Sequence, residues 1–462
     1  MVVAMWCNSL SLRVGFRVAC AVLAAVVAMP QRAAAQDGPL SMLRDAETEN
    51  TLRNFMLPIW KVAGLDPAAV RIYIVNDPSL NAFVAGGQNI FMNTGTLMRE
   101  TSPNQIIGIM AHETGHMAHG DLARNTQIMK NAMIESIIGM VLGAGAVIAG
   151  KGNGGAGGIL AGQAVGLRAY LQHSVVVEAA ADQAALRYLD MSHQSSRGLL
   201  QFFQILEQEM FLNAQRQDPY MQNHPLTEDR IANVQKHVEQ SSFSDAKDPP
   251  EWIAANDLMK AKLAAFLGNP AQVLGQYKPD DKSEPAQYAR AIAYYRIPDL
   301  KNALPLIDGL IAAHPDNPYY QELKGQMLFE NGRIAEAVAP YERAVQMRPN
   351  EPLFNIELAQ VQLETNDPKM VPKATTELNA ALRVESDNAQ AWRFLAIAYG
   401  RSGDMGMAAL ALAEQNMATG DYKQAGLEAD RAQKLLKPGA QRQQAADLQA
   451  EAKRQFAIQT NQ

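Results

Sequence analysis

One five-residue stretch of the sequence, His112 to His116 with the letters HETGH, has the residue types and the spacing for metal chemistry. Positions four apart lie on one face of a helix, so His112 and His116 are able to bind the same ion. Glu113 lies one position further round, where a carboxylate takes a proton from an attacking water. Two neutral nitrogen ligands beside such a carboxylate predict a hydrolytic zinc site.

A surface helix with two solvated histidines is the alternative to a zinc site. The apolar run Ile106–Ala111 before the motif favours a buried helix, in which polar groups without partners are costly. Ser102 is a suitable N-cap with Gln105 three positions later, Pro103 fits the first turn, and Gly120 is a natural stop. We therefore expect one buried helix to carry the motif.

A third metal ligand is expected from a carboxylate on a later helix. Glu178 and Asp182 are four positions apart and share a helix face. Glu178 would complete a His2Glu set with one open coordination position, and Asp182 is placed to hydrogen-bond a ligand histidine from outside. A histidine six residues after the motif is excluded because that position is Leu122. The alternative for both acids is an ordinary helix surface.

The N-terminal 35 residues have the composition of a cleaved signal peptide. Arg13 and Arg17 form a basic region, Val18–Met29 is a compact apolar run, and Ala33–Ala35 fits a small-residue cleavage site. An N-terminal anchor helix is the alternative. Both cysteines fall inside this segment, so the predicted mature chain has no disulfide and no thiolate ligand.

Two strands are predicted before the motif. Val70–Val75 alternates and is β-branched, and Asn89–Asn93 forms a second strand that a turn closes. The edge of a strand beside a zinc helix is able to pair with an extended peptide. The residues that we expect to bind substrate in this way are Ile90, Phe91, Met92 and Asn93.

Residues 131–172 contain two apolar, glycine-rich arms around a flexible break at Lys151–Gly155. We expect a helical hairpin that covers the site or contacts a membrane surface. A transmembrane hairpin is the alternative, but the first arm is barely long enough to span a bilayer and carries Glu135.

The HETGH motif, together with Glu178-Ala179-Ala180-Ala181-Asp182, resembles peptidase family M48, whose zinc metallopeptidases carry HExxH on one helix and ExxxD on a later one. The lead-in from Asn81 to Leu97 and the segment His224–Arg230 are also similar to that family. The resemblance covers about residues 40–240 and implies an α+β protease domain with a small β-sheet and a zincin-like core. The ligands that it implies for one zinc ion are His112, His116 and Glu178.

The same resemblance implies roles for three further residues. Glu113 would be the general base. His224 precedes a proline, so its backbone is expected to be extended. There it would donate to the oxyanion of the tetrahedral intermediate, occupy the open zinc position in a resting state, or be a structural loop histidine. Arg230 would steady the same loop or bind substrate.

The C-terminal third of the chain repeats with the period of 34 residues that is typical of tetratricopeptide repeats. Four positions recur at this spacing: Ala291, Tyr294, Ala303 and Pro315 return as Gly325, Leu328, Ala337 and Pro349. A generic helical bundle is the alternative. Residues 420–460 are helical and polar, which suits a capping element, and such arrays form concave surfaces that bind proteins.

These observations predict a mainly α-helical chain of 462 residues in which an α-solenoid follows the protease domain. We expect a signal peptide at 1–35, a protease domain at 36–240, a junction at 241–275 and a repeat domain at 276–462. The net charge of −6 gives no indication of nucleic-acid binding.

An export signal, an M48-like core and tetratricopeptide repeats together resemble a periplasmic class of this family in Gram-negative bacteria. That resemblance implies a zinc endopeptidase in outer-membrane protein quality control, which binds unfolded outer-membrane proteins and, through the repeats, the β-barrel assembly machinery. It also leaves room for peripheral contact with the outer membrane. One alternative is a chaperone or adaptor with a latent or self-inhibited protease site. Another is a membrane-integral CAAX-type M48 protease, although no run gives clean multiple spans.

Overall fold

The computed structural model describes residues 41–118, 175–212, 220–221 and 224–460. In this part of the chain the fold is mainly α-helical with one small sheet, as the sequence predicted. The predicted signal peptide and the predicted hairpin at 131–172 lie outside the described residues. Among the helices described, none combines the length and the apolar character that crossing a bilayer requires.

The first part of the fold contains four strands and six helices within the described ranges. The strands are β1 (Met42–Leu43), β2 (Arg71–Val75), β3 (Ala82–Ala85) and β4 (Asn89–Asn93). The helices are α1 (Ala46–Val62), α2 (Thr94–Arg99), α3 (Pro103–Ala118), α4 (Val175–Met191), α5 (Arg197–Leu212) and α6 (Glu228–Gln240). α3 and α4 are the two helices that the HETGH and ExxxD patterns predicted.

The strand order in the sheet is β1-β2-β4-β3. β2 and β4 are parallel, whereas β1 and β3 are antiparallel to their neighbours. This order contradicts the prediction that Ile90, Phe91, Met92 and Asn93 form a free edge for substrate. Both sides of β4 already pair with strands, and its side chains are buried. The prediction failed because the sequence indicated only two strands before the motif, whereas Ala82–Ala85 forms a further strand, β3, at the end of the described sheet and beside β4.

Close helix packing places α3 against α4. A Cβ atom at Gly115 would lie 2.7 Å from the backbone oxygen of Ala181, so only glycine allows this approach. Gly108 meets α5 in the same way, because a Cβ there would lie 2.7 Å from the backbone nitrogen of Leu199. The glycine between the two histidines thus brings Glu178 within reach of them.

The C-terminal part consists of consecutive helices that pack on their neighbours. They are α7 (Pro250–Leu267), α8 (Pro270–Gln276), α9 (Glu284–Arg296), α10 (Leu300–Ala313), α11 (Pro318–Glu330), α12 (Ile334–Met347), α13 (Pro352–Glu364), α14 (Met370–Val384), α15 (Ala389–Arg401), α16 (Met405–Ala418), α17 (Tyr422–Leu435) and α18 (Ala440–Thr460). Gly325 lets α11 and α12 approach, since a Cβ there would lie 2.6 Å from the ring of Tyr341. A small residue opposite a large one is the packing expected from the repeat.

Helix α7 contributes to two hydrophobic cores. Met259 and Leu263 are buried in the core that also contains the sheet and α3. Ala261 and Ala265 are buried in the core of the first repeat helices. The junction predicted at 241–275 therefore contains a helix that packs on both sides.

Candidate metal centre

Three elements bring four potential ligands together. α3 presents His112 and His116, α4 presents Glu178, and the segment before α6 presents His224. Each of the four residues is at most 1% exposed. One donor atom from each lies within 4.8 Å of the donor atoms of the other three.

The donor atoms face a common volume. Nε2 of His112 lies 3.1 Å from Nε2 of His116 and 3.2 Å from Oε2 of Glu178. Nε2 of His116 lies 3.4 Å from Oε1 of Glu178. Nδ1 of His224 lies 3.1 Å from Oε1 of Glu178 and 3.4 Å from Nε2 of His112. The sequence predicted that all four residues belong to the site, and the structure brings them together.

Glu113 lies beside these donors and is fully buried. Neither of its carboxylate oxygens has a hydrogen-bond partner among the described residues. Its Oε1 lies 3.6 Å from Nε2 of His224. A buried carboxylate without a hydrogen bond is costly unless a bound group satisfies it, so this residue indicates a site built for a ligand.

Family comparison decides the class of this site. Residues 46–238 match the model of peptidase family M48. This segment is an M48 peptidase domain. The chain is therefore a metallopeptidase, and the buried histidine and glutamate donors fit a metal site in the M48 domain.

The repeats and two relatives complete the comparison. Residues 288–352 and 328–398 match tetratricopeptide repeats, which indicates protein–protein interaction. The beta-barrel assembly-enhancing protease of Escherichia coli is 23% identical over 397 residues, which is 83% of this chain and 78% of that protein. The protein of the same name from Yersinia pestis is 22% identical over 78% of this chain and 74% of its own. Among solved structures, yeast Tom70 covers 77% of this chain and 82% of its own at 12% identity, with a TM-score of 0.31, too low to carry an argument.

Asp182 and Arg230 form a second layer around the M48 donors. Oδ1 of Asp182 lies 2.8 Å from Nδ1 of His112, as predicted for a carboxylate that orients a ligand histidine. The guanidinium of Arg230 donates two hydrogen bonds to Asp182, at 2.7 and 2.9 Å, and lies 3.1 Å from Oε2 of Glu178. It also donates to the carbonyl of Pro225, so the loop-steadying alternative has a contact in the structure. The predicted substrate-binding role of Arg230 stays a prediction.

The carboxylates of the second layer and of the ligand set favour the ionised form. Burial raises the pKa of Asp182, but hydrogen bonds from Arg230 and His112 outweigh burial and lower it. Burial also raises the pKa of Glu178, and the surrounding histidines reverse that effect and lower it well below its usual range. Burial lowers the pKa of His112, while hydrogen bonds with Asp182 and Glu178 raise it to about 10. The ionised carboxylates thus favour positive charge at this site.

Two aromatic residues that the sequence analysis did not identify pack against the site, one on the donor His224 and one on Arg230. The ring of Tyr220 stacks on the ring of His224, with centroids 4.6 Å apart. The ring of Phe203 lies 5.0 Å from the guanidinium carbon of Arg230. Phe203 lies on the buried face of the amphipathic helix α5, next to Phe202, and both residues read as core. No local pattern distinguishes it from its neighbours.

Proposed function

We propose that this chain is a zinc-dependent endopeptidase of the bacterial periplasm that acts on misfolded outer-membrane β-barrel proteins. The observation that carries the proposal is the four-donor cluster beside the buried carboxylate of Glu113, which accepts no hydrogen bond from the described residues. The family match supports peptidase chemistry, and the name of the relatives supports the class of substrate.

The donor set supports zinc as the metal. Zinc prefers four tetrahedral ligands with bonds of about 2.0–2.1 Å to nitrogen and oxygen, which separates any two donors by about 3.3–3.4 Å. Five donor distances given above run from 3.1 to 3.4 Å, with both carboxylate oxygens of Glu178 among them, and the full set of four donors lies within 4.8 Å. We assign His112, His116 and Glu178 as the resident ligands of one zinc ion per chain.

Glu113 is the general base in the proposed mechanism. A zinc ion bound by His112, His116 and Glu178 would supply Lewis acidity at this site. The buried carboxylate of Glu113 accepts a proton from the attacking water and passes it to the leaving amine nitrogen. Its full burial keeps bulk water away from this transfer.

Strand β3 is the edge that we propose for the peptide substrate. It pairs with β4 on one side, and no described strand pairs with its other side. The backbone of Asn93 donates to the carbonyl of Asn81, so in the alternating antiparallel pattern the backbone groups of Ala82 and Val84 point away from β4. Because residues Ala82–Ala85 are at most 5% exposed, an extended peptide would have to uncover this edge before it adds a strand there.

We propose that His224 closes the site in a resting state. Its Nδ1 lies among the ligand atoms, 3.1 Å from Glu178 and 3.4 Å from His112, where it is able to take the fourth coordination position. A substrate carbonyl would have to displace it. His224→Ala tests this role: faster cleavage at unchanged zinc content supports closure, whereas slower cleavage supports the predicted role as oxyanion donor.

The repeats are proposed to bind the β-barrel assembly machinery and unfolded outer-membrane proteins. Their family supports protein binding, and the relatives are named for β-barrel assembly. Export through a cleaved signal peptide and association with the outer membrane belong to the same proposal. The rival function is a chaperone or adaptor with a latent protease site. A fourth donor from His224 is compatible with this function, because it would occupy the open position of the metal.

The experiment that separates the two functions compares wild-type protein with Glu113→Gln. We expect wild-type protein to contain one zinc per chain and to cleave an unfolded outer-membrane barrel protein. Glu113→Gln keeps the zinc, and its kcat/KM falls by about 10²–10⁴, the usual contribution of a general base. Cleavage by a cleanly purified Glu113→Gln variant at the wild-type rate would reject the mechanism. Wild-type protein that suppresses aggregation without cleaving would favour the chaperone.

A further inference from the structure

We propose that Arg230 is a positioning residue that holds two metal ligands and the base of the His224 loop in one arrangement. This inference rests on the zinc centre proposed above. Arg230 is 2% exposed, and its guanidinium lies behind the donor atoms. It contacts groups that themselves touch the metal site.

The guanidinium uses three nitrogen atoms for four contacts. Nε and Nη2 donate to the two oxygens of Asp182 at 2.7 and 2.9 Å. Nη1 lies 3.1 Å from Oε2 of Glu178 and donates to the carbonyl oxygen of Pro225 at 2.8 Å. The ring of Phe203 stacks under the guanidinium. A planar fork with fixed donor directions is needed for this set of contacts, and a lysine ammonium cannot reproduce it.

The contacts form a relay to His112. Oδ1 of Asp182 accepts a hydrogen bond from Nη2 of Arg230. The same oxygen lies 2.8 Å from Nδ1 of His112. With Asp182 held by the fork, the imidazole ring is fixed with its Nε2 toward the other donors. Arg230 also contacts Glu178 directly, so its loss would disturb ligands on both α3 and α4.

The fourth contact links the ligands to the His224 loop. Pro225 follows His224 directly, and its carbonyl is held by the same nitrogen that faces Glu178. The loop leads into α6, whose N-cap Thr227 accepts from the backbone nitrogen of Arg230. Arg230 therefore fixes the point from which His224 reaches the site.

A double-mutant cycle on the full-length protein tests the relay. The apparent Kd for zinc is measured by competition with a chelator for wild type, Arg230→Gln, Arg230→Lys, Asp182→Asn and the double variant Asp182→Asn/Arg230→Gln. We expect Arg230→Gln to weaken zinc binding by about 10–100-fold, the usual effect of an outer-layer change. Arg230→Lys keeps the positive charge but loses the planar guanidinium with its several donors. We therefore expect its zinc affinity to lie between those of Arg230→Gln and wild type. The double variant loses less zinc affinity than the two single losses combined, because part of the effect of Arg230 passes through Asp182 and part passes directly to Glu178.

Independent, additive losses from Arg230→Gln and Asp182→Asn would overturn the proposal, as would a wild-type Kd in Arg230→Gln. If Arg230→Gln does not fold, the same cycle with Arg230→Lys decides. In cleavage assays normalised to the measured amount of zinc-loaded protein, Arg230→Lys lowers kcat per bound zinc, which a general loss of folded protein would not produce. Failure of wild-type protein to bind zinc would instead reject the proposed function.

Arg197→Gln is the matched control. Arg197 also binds a carboxylate, with Nη2 2.8 Å from Oδ1 of Asp245, but this pair is exposed. Its removal is expected to leave the Kd for zinc unchanged. A comparable loss of zinc affinity in this control would show that the effect of Arg230 is not specific.

Discussion

Two buried clusters of charged side chains in this chain accommodate negative charge in opposite ways. The metal centre lowers the pKa of its carboxylates Glu178 and Asp182. The second cluster surrounds Lys262 on α7, whose Nζ contacts Asp45, lies 3.2 Å from Glu47 and lies 4.0 Å from Glu322 on α11. Here burial and the neighbouring acids raise the pKa of Glu322 to about 7, although Lys262 opposes them.

The difference follows from the partners of each carboxyl group. In the metal centre, three imidazoles and the fork of Arg230 face the carboxylates, so these stay ionised and attract a cation. Around Lys262, a single ammonium serves three carboxyl groups. Burial raises the pKa of all three, and the contact with Lys262 reverses this for Asp45 alone, so the pKa values of Glu47 and Glu322 rise. One cation is thus too few to keep all three acids of this cluster in their favoured ionised form, whereas each carboxylate of the metal centre has several partners.

Removal of a ligand is expected to have the largest effect. Glu178→Ala should abolish stoichiometric zinc binding, a larger loss than the roughly 10–100-fold expected for residues outside the ligand set. Elemental analysis of the purified variant is the measurement. Glu100→Ala is the matched control, because Glu100 is a fully buried carboxyl group outside the cluster. One zinc per chain in Glu178→Ala would reject Glu178 as a ligand.

Removal of the Lys262 ammonium from the second cluster should lower the free energy of unfolding and leave zinc binding unchanged. Lys262→Met leaves Asp45, Glu47 and Glu322 buried without their cation, and breaking such a pair typically costs about 3–5 kcal/mol. Denaturant unfolding checks this, together with an unchanged zinc content. Lys260→Met serves for comparison, since Lys260 donates only to the carbonyl of Glu100 among the described contacts. A loss of zinc in Lys262→Met would mean that the clusters are not independent.

Zinc removal is expected to destabilise the M48 domain reversibly. A metal that binds only the folded state contributes RT ln(1 + [L]/Kd), which is about 4 kcal/mol when zinc is present at 1,000 times its Kd. A chelator should therefore lower the unfolding temperature, and added zinc should restore it. Glu178→Ala provides the control, because a chelator should not change its unfolding temperature. Equal shifts in both proteins would show that the chelator acts elsewhere.

The smallest expected effect is a pH-dependent gain in stability in Glu322→Gln. The pKa of Glu322 is raised from its ordinary 4.5 to about 7 in the folded state. Between these values the folded chain keeps a proton that the unfolded chain releases, so wild-type stability falls as pH rises through this window. The neutral amide removes this loss. We expect a gain on the order of 1–3 kcal/mol at pH 8 and none near pH 4.5.

Unfolding curves at the two pH values measure the gain, with Glu336→Gln as the control on an exposed carboxylate that pairs with Arg333. A Glu322→Gln variant that is less stable than wild type at pH 8 would contradict the raised pKa of Glu322 in the folded state.

The features that could be predicted from the sequence are those carried by local periodicity. The spacing of four within HETGH and within Glu178–Asp182 fixes which side chains share a helix face, and the structure brings them together. The repeat period likewise predicted the helices after residue 284, and family matches cover much of that region.

Non-local pairing escaped prediction. The order of the strands depends on which strand lies beside β4, and no residue of Asn89–Asn93 encodes that choice. The stacking of Tyr220 on His224 and the contact of Lys262 with Asp45 join segments that are distant or irregular in sequence. Burial of such charged groups also runs against their average preference, so composition gave no signal for them.

The sharing of α7 between two cores has a consequence for synthesis on the ribosome. A growing chain that has reached residue 240 already contains every proposed zinc ligand, but it lacks Met259 and Leu263 of the M48 core. When α7 follows, Ala261 and Ala265 on the same helix need the first repeat helices to cover them. The M48 core therefore gains its last buried residues from a helix whose opposite face is covered only after the first repeat helices have been made.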